Sequence, residues 1–141
     1  MEWVYDDGGR AAAGYKGTAG DCVCRAIAIA VERPYQEVYD LINTFAKAER
    51  KSSCQSKSSA RNGVRKTTVR KLLAHYGWKW HPIMTIGSGC TVHLRDGELP
   101  MGRIIAAVTS HDVAVIDGVI HDTYDCSREG TRCVYGYFSK D

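Results

Sequence analysis

Long hydrophobic runs are missing from this chain. The longest is six residues, 26–31, about a third of the roughly 18 that a membrane helix needs. No membrane contact is expected. The opening Met1-Glu2-Trp3-Val4-Tyr5-Asp6-Asp7 carries acid where a secretion signal carries base, which predicts a cytoplasmic location. Proline is scarce, at three of 141 residues, which excludes proline-rich or collagen-like repeats. Cys-x-x-Cys spacing is also lacking. Cys22-x-Cys24 is too tight for a zinc knuckle, and Cys126 and Cys133 lie seven apart with no Cys-x-x-Cys partner, so no metal is predicted. Gly87-Ser88-Gly89 has no lysine and no helix after it, and makes a poor phosphate cradle.

What is present is an ordinary globular composition, 44% hydrophobic and 25% charged, enough to build a core. The even count of six cysteines suits a disulfide framework in a secreted chain. Without a signal, free thiols are expected instead. The net charge of +3 is uneven. Residues 47–71 hold nine Lys/Arg against one acid, a local charge of +8 that leaves −5 on the rest. This segment has no aromatic stacking platform, so it predicts at most a weak electrostatic contact with nucleic acid.

The periodicities place helices first and strands later. Residues 22–32 are rich in alanine and isoleucine with only Arg25 charged, behind Asp21 as a candidate N-cap, and predict a buried helix. Val38, Leu41, Ile42 and Phe45 mark one face of a second helix over about 35–50. A serine-rich loop with no core residue is expected over 51–63, then a third helix capped by Thr67 or Thr68 and stopped by Gly77. Strands are expected near 3–5, 78–81, 103–109, 111–116, 119–123 and 133–138, with Asp117-Gly118 as a hairpin turn. The expected fold is α+β, one domain over 1–141, with N-terminal helices packed on a C-terminal antiparallel β-sheet and a flexible basic loop at about 51–63.

Cys22 opens the buried helix, where unpaired amides and the helix dipole favour a thiolate. Asp21 opposes this, so a cation is required nearby. His111 opens a strand. If the hairpin pairs Ile116 with Val119, His111 lies across from Tyr124 and diagonal to Asp122 on the same face. A diagonal carboxylate orients an imidazole and stabilises its charged form. Asp125 and His121 are the neighbours that compete for these roles. Cys24, Cys90, Cys126 and Cys133 are expected to pack in the interior, and Cys54 to be exposed.

A cysteine opening a buried helix after Asp21, with His111-Asp-Val-Ala-Val-Ile-Asp-Gly118 and then Asp122, resembles the papain-like cysteine peptidase superfamily, in particular bacteriocin-processing peptidases. Gly20-Asp-Cys-Val-Cys-Arg-Ala-Ile-Ala28 and Tyr135-Gly-Tyr137 are also similar to a group of small bacteriophage proteins, a likeness that brings no activity with it. The superfamily resemblance implies a papain-like fold, Cys22 as nucleophile, His111 as general base and Asp122 as its orienter. It implies a peptide or protein substrate, a host protein included, an amide or isopeptide bond, and no cofactor. The oxyanion-binding glutamine of that superfamily falls here on Lys16, a mobile ammonium in place of an amide. That departure keeps a second expectation open, a non-catalytic phage-encoded binding protein or inhibitor on the same scaffold that captures a host protein or a small nucleotide.

Overall fold

In the computed structural model, which describes residues 1–85 and 87–140, helix α1 (Cys22–Val31) is the central element. Seven of its ten residues are buried, as its alanines and isoleucines dictate. It ends at Glu32 in the left-handed region (φ 60°). Its last carbonyls are bonded by a strand: Arg103 donates from Nε to Ala30 at 2.9 Å and from Nη2 to Ile29 at 2.8 Å. Helix α2 (Tyr35–Lys47) turns Val38 and Ile42 inward, and Leu41 and Phe45 pack beside them. Helix α3 (Lys66–His75) begins one residue before the expected threonine caps. Thr68 donates its hydroxyl to Glu49 instead, and the Arg65 amide is taken by Ser58 Oγ at 2.8 Å.

The six strands are β1 (Trp3–Tyr5), β2 (Lys79–Pro82), β3 (Arg103–Val108), β4 (His111–Ile116), β5 (Val119–Asp122) and β6 (Val134–Ser139). They form one sheet in the order β1-β5-β4-β3-β6-β2. The sheet is mixed, not wholly antiparallel, because β1 runs parallel to β5. Three helices and three strands separate these two, so no hairpin dictates their direction, and β1 covers the open backbone edge of β5. The β4–β5 hairpin turns on Asp117 and Gly118, both at positive φ (48° and 79°), the twist that tight hairpins favour. Its ladder pairs Ile116 with Val119 and Ala114 with His121.

The helices cover one face of the sheet, burying Ile27, Ile42, Leu72, Leu73, Ile105 and Phe138 together. A second apolar layer on Ile104, Val113, Val115 and Ile120 is closed by Leu94, Val92 and Cys126 from irregular segments. Two expectations need correction here. Residues 51–63 do contribute to the core: Ala60 is 1% exposed, its amide donates to Asn43, and Ser59 bridges Gly63. The thiols are not all free either, since Cys90 and Cys133 form a disulfide. Cys22, Cys24, Cys54 and Cys126 remain as thiols. Among the described residues no helix is long and apolar enough to cross a membrane.

Candidate active site

Cys22 is the first residue of α1 and half-buried, in the wall of a cleft of about 680 Å³. Asp21 holds the N-cap position but makes no side-chain cap bond. Its carboxylate turns inward. The Tyr35 hydroxyl donates to Oδ2 at 2.6 Å, Arg25 bonds Oδ1, and Arg10 Nε lies 3.4 Å from Oδ2. Two arginines thus pair with the Asp21 carboxylate beside Cys22. The amides of the first turn meet no capping side chain, and their partial positive charge is left beside Cys22.

His111 opens β4 on the same cleft. Its Nε2 lies 2.7 Å from Oδ2 of Asp122, the last residue of β5. The hairpin register puts His111 opposite Tyr124, with ring centroids 5.6 Å apart, and so makes Asp122 its diagonal neighbour. Burial pushes the His111 pKa down, but the Asp122 hydrogen bond, with the nearby Cys126 and Cys22 sulfurs adding to it, outweighs this and holds the imidazolium well above its ordinary range. Burial pushes Asp122 up; His111, the Thr123 amide at 2.7 Å and Arg25 more than reverse this. Nε2 is committed to Asp122, which leaves Nδ1 as the ring nitrogen for a second partner.

Arg25 was not among the expected site residues, yet it joins the parts. It bonds Asp21 through Nη1 and lies 3.2 Å from Asp122 through Nη2, tying α1 to the end of β5. The available signal was its isolation: one charge in an otherwise apolar helix is seldom buried without a partner. Cys126 is the other addition. It is buried, and its sulfur lies within 4.8 Å of the ligand atoms of His111 and Asp122. Burial raises its pKa. This group is one of two among the described residues whose donor atoms converge as metal ligands do; the other is Cys90, His93 and Cys133. In the first, the Arg25 guanidinium already supplies the positive charge beside Asp122.

Lys16 is not brought to the site. It is exposed, lies outside the residues that line the cleft, and offers its carbonyl to Arg10 at 3.1 Å. Asn62 does line the cleft, and its carbonyl packs so closely on Gly20 that a Cβ there would stand 3.3 Å from it. Asp125 accepts the Ser127 amide at 3.1 Å within a turn, and His121 faces Asp6 at 3.5 Å, so neither takes the place of Asp122 or His111. Cys24 is buried and pushed up to about 12 by desolvation, with the charge of Asp21 adding to it.

The far wall is aromatic. Trp80 lies flat over Gly136, where any Cβ would meet the indole at 2.4 Å, and Arg70 stacks over the ring at 5.0 Å. A shift in the β3–β6 register leaves Tyr135 as an extra residue, bulged into the cleft, with its hydroxyl 2.8 Å from Thr109 Oγ1 and Lys66 over its ring. The basic stretch is therefore divided. Lys66 and Arg70 line the cleft, while Arg65 is bound to Glu49 and to the carbonyls of Arg50, Gln55 and Ser56. The chain matches no protein-family model, no curated protein and no solved structure.

Proposed function

We propose that this protein is a papain-like thiol hydrolase or acyl-transfer enzyme acting on an amide or isopeptide bond. The observation that carries the reading is the 2.7 Å His111–Asp122 bond placed in one cleft with a cysteine at a helix N-terminus. Each group then has a role. The Cys22 thiolate attacks the carbonyl carbon, forming a C–S bond as the oxygen takes the negative charge. The Cys22 amide stabilises that oxygen. His111 delivers a proton from Nδ1 to the departing nitrogen as the C–N bond breaks. Water or an amine, deprotonated by His111, releases the acyl group from sulfur. Asp122 holds the ring and its charge, and Arg25 positions Asp122. The aromatic wall and the Lys66/Arg70 rim suit a peptide or protein chain.

Limited alkylation with iodoacetamide at pH 6 tests the nucleophile. Cys22 is expected to react first, ahead of the more exposed Cys54, because it opens a helix in the same cleft as His111. His111→Ala should slow Cys22 by about a hundredfold, the low end of what a positioned base contributes. Faster labelling of Cys54 with Cys22 untouched would sink the assignment. The position of Lys16 outside the cleft favours a second reading, a binding protein without turnover. An activated ester such as p-nitrophenyl acetate separates the two: the enzyme gives a burst of nitrophenolate and an acylated Cys22, the binder gives neither.

A further inference from the structure

Away from the Cys22 cleft, Cys90, His93 and Cys133 bring two sulfurs and a ring nitrogen within 4.8 Å of one another. None of the three lines the cleft. We propose that, once the Cys90–Cys133 disulfide is reduced, these three residues form a binding site for one zinc ion. The inference does not depend on the enzyme reading.

One ligand pair already stands at metal-ligand separation, and reduction frees the third donor, Cys133, from its bond to Cys90. Cys90 Sγ and His93 Nε2 are 3.4 Å apart. Two such atoms on one tetrahedral zinc, at Zn–S of about 2.3 Å and Zn–N of about 2.0–2.1 Å, stand about 3.5 Å apart. The sequence spacing Cys90-x-x-His93 is that of a chelating pair. The third ligand is held opposite by the backbone. His93 and Cys133 form an antiparallel bridge, flanked by Leu94 N to Arg132 O at 2.8 Å and Val134 N to Val92 O at 2.9 Å. The buried side chains of Leu94 and Val134 anchor both strands of that bridge.

The second observation is the support behind His93. Its other ring nitrogen, Nδ1, lies 3.1 Å from Glu98 Oε1, and the same oxygen accepts the His93 amide at 3.1 Å. Arg95 bonds the remaining Glu98 oxygen and comes within 3.0 Å of Nδ1. A carboxylate on Nδ1 turns Nε2 outward as the donor and is the usual backing of a zinc-bound histidine. Two thiolates and an imidazole suit zinc and not calcium or magnesium. Cys90 is exposed, so water fills the fourth position.

The chemistry balances in two steps. A dithiol or phosphine reductant gives two electrons to the S–S bond, is itself oxidised, and leaves two thiols. Zinc(II) then displaces two protons, one from each thiol, and binds both thiolates and the neutral imidazole without change of oxidation state. The disulfide is the metal-free, oxidised form of the same site.

The test is cobalt(II) and zinc(II) titration of the full chain, oxidised and then reduced anaerobically with a phosphine. Reduced protein should take up one cobalt, with a thiolate charge-transfer band and the intense visible bands of tetrahedral coordination. Oxidised protein, identical in every residue, should take up none. Cys90→Ser and Cys133→Ser should abolish the bands, and a Cys22→Ser, Cys126→Ser variant should keep them. Glu98→Gln should weaken zinc about 10–100-fold while leaving the cobalt spectrum in place. Two results overturn the proposal: no metal uptake by the reduced wild-type protein at micromolar concentration, or bands that persist without Cys90 and Cys133. If a serine variant fails to fold, the reduced and oxidised wild-type chains still decide the matter.

Discussion

Asp122 is 3% exposed and touches two cationic groups, His111 and Arg25, as well as the Thr123 amide. Read as a strand-end residue, it is expected to be replaceable at little cost to stability. Its burial reverses that. Asp122→Asn leaves the buried His111 imidazolium without its carboxylate and Arg25 with Asp21 alone, which costs up to about 3–5 kcal/mol for a buried pair broken on one side. Chemical denaturation should show a loss of that size, and Cys22 alkylation at pH 6 should slow with it. Asp125→Asn, which only alters a turn, should do neither. The pH dependence has a definite sign. The folded pKa of His111 is raised, so its contribution is complete below the unfolded value near 6.5 and is lost as pH rises through the folded value. Asp122 is lowered, so its contribution is complete above the ordinary carboxylate range and is lost as pH falls through its folded value. Wild-type stability should therefore decline between pH 7 and 9 by at most about 1.4 kcal/mol per unit from this pair. In Asp122→Asn the decline should be shallower. Equal slopes in the two proteins would mean that His111 is not coupled to Asp122.

At the scale of elements, α1 is fixed at both ends by charged groups, which stand in for a side-chain N-cap and add to the Glu32 C-cap. Arg25 and Asp21 hold its first turn, and Arg103 from β3 holds its last carbonyls. Gly8 allows the N-terminal segment to cross it closely. At φ 70°, a Cβ there would stand 3.2 Å from the Arg25 backbone. The segment 51–63 divides into two parts. Residues 51–57 are exposed, whereas Ser58 and Ala60 are buried, and Arg61 donates to the Thr18 carbonyl at 3.1 Å. Local opening precedes proteolysis, so limited trypsin should cut after Lys51 and Lys57 before Arg61 or Arg65. First cleavage at Arg65, whose guanidinium holds three loop carbonyls, would mean that those bonds do not persist in solution.

For the whole molecule, the sheet separates two apolar layers of different origin. Helices seal one, and irregular segments seal the other. The Cys90–Cys133 link closes a loop with a sequence separation of 43 that runs through β3, β4 and β5 and flanks the second layer at Val92, Leu94 and Val134. Such a loop is worth about 4 kcal/mol by chain entropy, and about 2–5 kcal/mol in measured small domains. Reduction with a chelator present should lower the unfolding free energy by that order. Zinc added to the reduced protein should return part of it, because a ligand bound only by the folded state stabilises it. Unchanged stability on reduction would show that the second layer holds without the link.

The sequence by itself determined the elements. Apolar periodicity at 3.6 placed α1 and α2, and alternation with an Asp-Gly turn placed the β4–β5 hairpin in its register, because these signals lie within a few residues of one another. Register alone then put His111 diagonal to Asp122, so two of the candidate site residues were legible before the fold. The rest required tertiary structure. The parallel pairing of β1, the salt bridge from Arg25 to Asp122, the Cys90–Cys133 link and the packing of Asn62 on Gly20 at the cleft join positions separated by tens of residues. No local pattern encodes such contacts, since they form only when burial in a common core brings distant segments together and makes an unpaired charge or an open strand edge too costly to leave.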